Sequence, residues 1–167
     1  MTDSVTLLSM KKSAGLLMYR RTDDGSLEVL LAHPGGPFWR GKDEGAWTIP
    51  KGEYDENEDP LAAAIREFGE ETAFAVSPPF LPLGEIVQKS GKRITAWAFA
   101  GDCDPAQLHS NTFEIEWPPR SGRMRSFPEI DRVEWLTLDA ARLKIHPAQC
   151  ALLDRLALLE TGPPEPG

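Results

Sequence analysis

No run of apolar residues in this chain approaches the ~20 that a membrane-spanning helix needs, so a soluble protein is expected. Cysteine is nearly as scarce. Cys103 and Cys150 lie far apart with no metal-ligand spacing around them, which points to free, partly buried thiols and away from redox chemistry. Cations are outnumbered, 18 Lys and Arg against 26 Asp and Glu, for a net charge of −8. That balance repels nucleic acid and anionic membranes at long range, and leaves a polyphosphate substrate in need of local positive charge. A calcium loop of the DxDxDG type is missing, as are internal repeats and low-complexity tracts. The opening MTDSVTLLSMKK places its basic residues after a short apolar patch and lacks a small-residue cleavage site, the reverse of a secretory signal, so the expected location is cytoplasmic.

What is present suits one globular domain: 167 residues, 41% apolar and 26% charged. Residues 1–160 are expected to form it, with 161–167 (TGPPEPG) as a disordered tail. The apolar segments Ser13 to Arg20 and Leu27 to His33 flank Asp23-Asp24-Gly25 and read as a hairpin. A loop rich in Gly and Pro leads to a brief strand from Ala46 to Ile49, which Pro50-Lys51-Gly52 is expected to terminate. A helix follows, with Asp59 as N-cap, Pro60 at its first position, and Leu61, Ile65, Phe68 and Thr72 on its inward face. Pro82 to Gln88, Ile94 to Ala100 and Val133 to Leu136 read as further strands, and Pro147 to Glu160 as a helix with Leu152, Leu156 and Leu159 as its stripe. Mixed strands with one early and one late helix indicate an α/β sandwich.

The chemistry lies on the early helix. Glu67, Glu70 and Glu71 stand at i, i+3 and i+4, so their carboxylates leave the same side and repel one another by ~0.2–0.5 kcal/mol per pair. A divalent cation would turn that repulsion into attraction. With Gly52, Glu58 and Arg66 they complete a pattern of six fixed positions, Gly52 through Arg66-Glu67-Phe68-Gly69-Glu70-Glu71-Thr72-Ala73-Phe74, which resembles the signature of the Nudix hydrolase family. At about 6% per residue type, chance would produce it with a probability on the order of 10⁻⁵ in a chain this long. One position departs: Ala73 stands where the family usually has Gly, hinting at a slightly extended or strained helix end.

The resemblance covers most of residues 13 to 145 and implies a Nudix-like α/β/α sandwich with a mixed sheet. It further implies that Glu67, Glu70 and Glu71, joined by the backbone carbonyl of Lys51, bind Mg²⁺, with Mn²⁺ as an alternative. Arg66 would orient the glutamates and Glu58 would steady Arg66. Many family members add an acid from outside this segment, about six residues before a late Trp. Glu129 precedes Trp135 by six, and Glu114 and Glu116 compete with it. Glu129, in the loop SFPEIDR, would swing over the cluster when substrate arrives.

Hydrolysis of a phosphoanhydride needs charge stabilisation on phosphate oxygens and a base for the attacking water. Glu67 or Glu129 is the expected base. Lys51, Lys92 with Arg93, and Arg120, Arg123 and Arg125 are the available phosphate-binding cations. Of Trp39, Trp47, Trp97 and Trp117, Trp117 is the first choice for stacking on a base. Pro50-Lys51-Gly52 is similar to the diadenosine polyphosphate hydrolases and some nucleoside triphosphate-cleaving members of the family, so the expected substrate is a dinucleoside polyphosphate or a nucleoside triphosphate, with sugar nucleotides and inositol pyrophosphates left open. The alternative is a catalytically silent Nudix domain that senses a nucleotide. Oligomeric state is left open, a homodimer among the options.

Overall fold

The computed structural model describes residues 12–161; the first eleven residues and the last six of the expected tail lie outside it. Its centre is β1 (Lys12–Arg21), buried along nearly all its length, with β2 (Leu27–Pro34) antiparallel on one side and β5 (Arg93–Ala100) parallel on the other. β4 (Leu81–Val87) and β8 (Ile130–Thr137) close the edges in the order β4-β5-β1-β2-β8, while β3 (Lys51–Glu53) adds to β1.

Side chains alternate across this sheet, so it buries two faces. Leu17 and Tyr19 of β1 point into a core shared with Leu152, Leu153 and Leu156 of the C-terminal helix, whereas Ala14, Leu16 and Met18 pack with Ala63, Ala64 and Phe68 of the acidic helix. Each large apolar side chain so buried is worth about 1.5–3 kcal/mol, and the helices are held on opposite faces by that burial. The result is the expected α/β/α sandwich with a mixed sheet.

Helix α1 (Pro60–Thr72) starts as its sequence predicts: Asp59 accepts a 3.0 Å hydrogen bond from the Ala62 N–H, and Pro60 needs no partner for a missing one. Its buried face is Ala63, Ala64, Phe68 and Thr72, turned slightly from the expected Leu61, Ile65, Phe68, Thr72, with both alanines and Phe68 in the core shared with β1. Ala73 ends the helix in the left-handed region at φ 65°, so the end is strained and not extended.

Other expectations shift. Ala46 to Ile49 makes only isolated bridges through Trp47 and Thr48, and the strand is Lys51–Glu53, the segment expected to stop it. Gly15 explains the displacement: a Cβ there would meet the Pro50 carbonyl oxygen at 2.7 Å, so only glycine lets β3 close on β1, with Leu16 N–H donating to Pro50 at 3.2 Å. Near the C-terminus, Pro147–Gln149 is a 3-10 turn, and the helix proper, α3 (Cys150–Thr161), buries Leu153 while Leu159 is half exposed. A seven-residue helix, α2 (Leu138–Lys144), precedes it, too short for periodicity to reveal. β6 (Thr112–Glu116) and β7 (Met124–Pro128) form a separate ribbon whose Phe113 ring covers Gly36.

Candidate active site

Lys51 and Gly52 of β3 run beside α1, and this contact builds the site. The Lys51 backbone N–H donates to Glu71 Oε2 at 3.2 Å. A side chain at Gly52 would collide with the Glu67 carboxylate, so the absent Cβ is the space that Glu67 fills. Arg66 takes Glu58 in a two-pronged grip, Nε to Oε2 at 2.8 Å and Nη2 to Oε1 at 3.0 Å, and turns Nη1 to Glu67 at 2.9 Å and to Glu70 at 3.3 Å. The Arg66–Glu58 pairing of the sequence is therefore present, and Arg66 bonds two of the helix acids directly.

A cleft of about 580 Å³ opens against these residues and is lined by Glu67, Glu71 and Glu129 with Lys51, Lys92, Asn111 and Trp39. Burial, then the charge of Glu67, pushes the Glu71 carboxyl up to about 8, against the pull of Lys51, with Glu129 adding to the rise. Burial also raises Glu67 despite Arg66, and lowers Lys51, whose ammonium faces that of Lys92. Ser13 Oγ, another lining group, is the one buried side-chain polar atom among the described residues with no hydrogen-bond partner.

These features fit a hard divalent cation: the acids present only oxygen, their charge is concentrated, and burial together with the charge of Glu67 raises the pKa of Glu71, a cost that a cation would offset. Among the described residues no three acids stand in ligating geometry, since Arg66 holds the Glu67 and Glu70 carboxylates. Glu70 is 44% exposed and does not line the cleft.

Glu129 is not on a swinging loop. It is the single residue between β7 and β8; its N–H donates to Asn111 and its carbonyl accepts from Gly35, both at 2.9 Å. Asn111 in turn donates to the carbonyl of Glu70 at 2.9 Å, which ties the strand junction to α1. Glu114 and Glu116 alternate with Phe113 and Ile115 on the exposed face of β6, and Glu116 accepts from the Arg120 N–H at 2.7 Å.

Of the expected substrate-binding cations, Lys51 and Lys92 line the cleft, Lys92 lying 3.5 Å from Glu53, and Arg93 does not, because it pairs with Glu85 at 2.7 Å. Arg120, Arg123 and Trp117 belong to the turn of the β6–β7 ribbon and are absent from the lining, Trp117 meeting Phe38 edge to face. Trp39 is the tryptophan in the cleft wall. Its place in the Gly- and Pro-rich loop carried no periodic signal. Both cysteines are free, and no helix among the described residues is long and apolar enough to cross a membrane.

An α/β/α sandwich with a cleft built from a Gly-entered, Arg-braced acidic helix defines the class. The chain belongs to the NUDIX domain family, whose model matches residues 10–156. It is similar to the mRNA-decapping protein g5R of African swine fever virus (isolate Pig/Kenya/KEN-50/1950), 29% identical over 101 residues, a match that spans 58% of this chain and 39% of that protein's length. Among solved structures it resembles a C. elegans Ap4A hydrolase binary complex, at TM-score 0.62 and 23% identity, covering 90% of this chain and 98% of the other. It also resembles the NUDIX domain of Shewanella oneidensis NrtR complexed with ADP ribose, at TM-score 0.62 and 16% identity, covering 96% and 99%. Family membership supports hydrolysis of pyrophosphate bonds.

Proposed function

We propose that the chain is a Mg²⁺-dependent pyrophosphohydrolase that cleaves a phosphoanhydride bond in a nucleotide, a dinucleoside polyphosphate or a nucleoside triphosphate. The observation that carries this reading is the convergence of Glu67, Glu71 and Glu129 with the cations Lys51 and Lys92 in one cleft. Glu67, Glu70 and Glu71, with the Lys51 carbonyl, would hold the cation, which when bound supplies positive charge to phosphate oxygens and makes water acidic enough to attack.

The chain's own residues do the rest. Lys51 and Lys92 give the phosphates their cationic contacts, offsetting a molecule whose net charge is −8. Arg66, braced by Glu58, holds the helix carboxylates so that little reorganisation accompanies the reaction. Glu67 or Glu129 accepts the proton of the attacking water, and Glu129 is well placed because its backbone is fixed on both sides. Similarity to the Ap4A hydrolase favours the dinucleoside substrate.

The test is a panel of ATP, diadenosine tetraphosphate, ADP-ribose and a sugar nucleotide, each incubated with the protein and Mg²⁺ while phosphate products are followed. Products from the first two, abolished by chelation, support the reading. Tight nucleotide binding without product would favour the silent sensor.

A further inference from the structure

Behind Trp39 the acid cleft continues into a side cavity of about 250 Å³, which shares Pro34, Trp39, Thr48 and Lys51 with it and ends at Gln88, His146 and Gln149. Its polar groups fall into two sets. Gln149 is engaged by the fold itself, accepting from Ile49 N–H at 3.0 Å and donating to Thr48 Oγ1 at 2.9 Å. Gln88 and His146 keep capacity. The Gln88 amide makes no side-chain hydrogen bond among the described residues, although its backbone is fixed by Lys92 and Gly91. His146 accepts from the Ala148 N–H through Nδ1 at 3.1 Å, so the neutral ring carries its proton on Nε2, a donor with no partner among the described residues.

An aromatic wall, an amide offering one donor beside one acceptor, and a further N–H donor, all one lysine away from the phosphate site, suit a flat heterocycle whose edge has an amino group next to a ring nitrogen. Glutamine pairs with adenine in this two-bond fashion. We propose that this side cavity is an adenine-binding subsite, with Trp39 stacking on the ring, Gln88 reading its amino edge and His146 Nε2–H donating to a second ring acceptor. The placement rests on the nucleotide reading above, with the phosphates passing Lys51 into the acid cleft.

The test separates the two. The full chain is titrated with AMP and with GMP, following tryptophan fluorescence, while ATP hydrolysis with Mg²⁺ is measured in parallel. AMP is expected to bind at least about tenfold tighter than GMP. Gln88→Met, which removes both amide groups and keeps the shape, should erase that preference; His146→Asn, which retains an acceptor for the Ala148 N–H, should weaken AMP several-fold; Trp39→Leu, at a partly exposed site, should remove the fluorescence response and weaken both nucleotides. Equal binding of AMP and GMP by the native chain, or a preference that survives Gln88→Met, overturns the subsite. AMP selectivity without hydrolysis of either ATP or diadenosine tetraphosphate, run side by side with Mg²⁺, leaves the subsite standing and refutes the hydrolase reading instead.

Discussion

The backbone N–H of Lys51 reaches Glu71 Oε2 across 3.2 Å, and this bond joins the short strand before the acidic helix to the most deeply set of its carboxylates. Burial and the neighbouring Glu67 outweigh the bond and the Lys51 ammonium, so Glu71 holds its proton up to about 8.

An acid whose pKa is higher folded than unfolded stabilises the fold fully below its unfolded value, and that contribution is lost as pH rises through the folded one. The melting temperature of metal-free protein should therefore fall between pH 4.5 and about 8, Glu67 acting in the same direction. Glu71→Gln, uncharged at every pH, should flatten the fall. Because Mg²⁺ displaces the proton, its stabilising effect should grow over the same interval. Thermal melts across that range, with and without Mg²⁺, check all three; an equal fall in Glu71→Gln would assign it to other groups.

Gly52→Ala should be far more damaging to activity than a surface glycine change, because the new methyl group occupies the place of the Glu67 carboxylate. Turnover should drop at least ~10²-fold, the scale of a misplaced catalytic group, with far-ultraviolet circular dichroism unchanged. A variant within threefold of the native rate would show that Glu67 need not sit there.

Glu129→Gln should slow kcat by ~10²–10⁴ with little change in KM, as for the loss of a general base or its orienting partner. Glu114→Gln and Glu116→Gln, on the exposed face of β6, should each cost less than tenfold. Steady-state kinetics on the three variants decide the matter, and a large loss confined to Glu116 would reassign the role.

Ala73→Gly should stabilise the protein. Ala73 sits at φ 65°, where a Cβ is strained, and glycine is not. After the extra freedom of glycine in the unfolded chain, a gain of about 0.5–1 kcal/mol is expected, a rise of ~1–4 °C in melting temperature. A lower melting temperature would mean that the alanine methyl makes a packing contact worth more than the strain.

Much of this was legible because the signals were local. The N-cap at Asp59, the three acids at helical spacing and the Arg66–Glu58 pair depend on residues near in sequence, and their geometry follows. The displaced strand at Lys51–Glu53 was hidden because its cause, the missing side chain of Gly15, lies across the sheet. Trp39 enters the cleft where Trp117 was the first choice, and of the expected pair Lys92 and Arg93 only Lys92 does, for a similar reason. Which loop residue faces a cleft depends on contacts such as Phe38 with Trp117 and Phe113 over Gly36, made between segments some 75 or more residues apart, at a range where spacing carries no information.

The most direct measurement is ³¹P NMR of diadenosine tetraphosphate or ATP incubated with Mg²⁺ and either the native chain or Glu71→Gln. Phosphate-ester and shorter polyphosphate signals should grow with the native protein, stop on chelation, and appear at least tenfold more slowly with Glu71→Gln, a loss of ~1.4 kcal/mol or more in transition-state stabilisation. Native turnover that survives chelation, or a Glu71→Gln rate above a tenth of native, would contradict the metal-binding role assigned to the acidic helix.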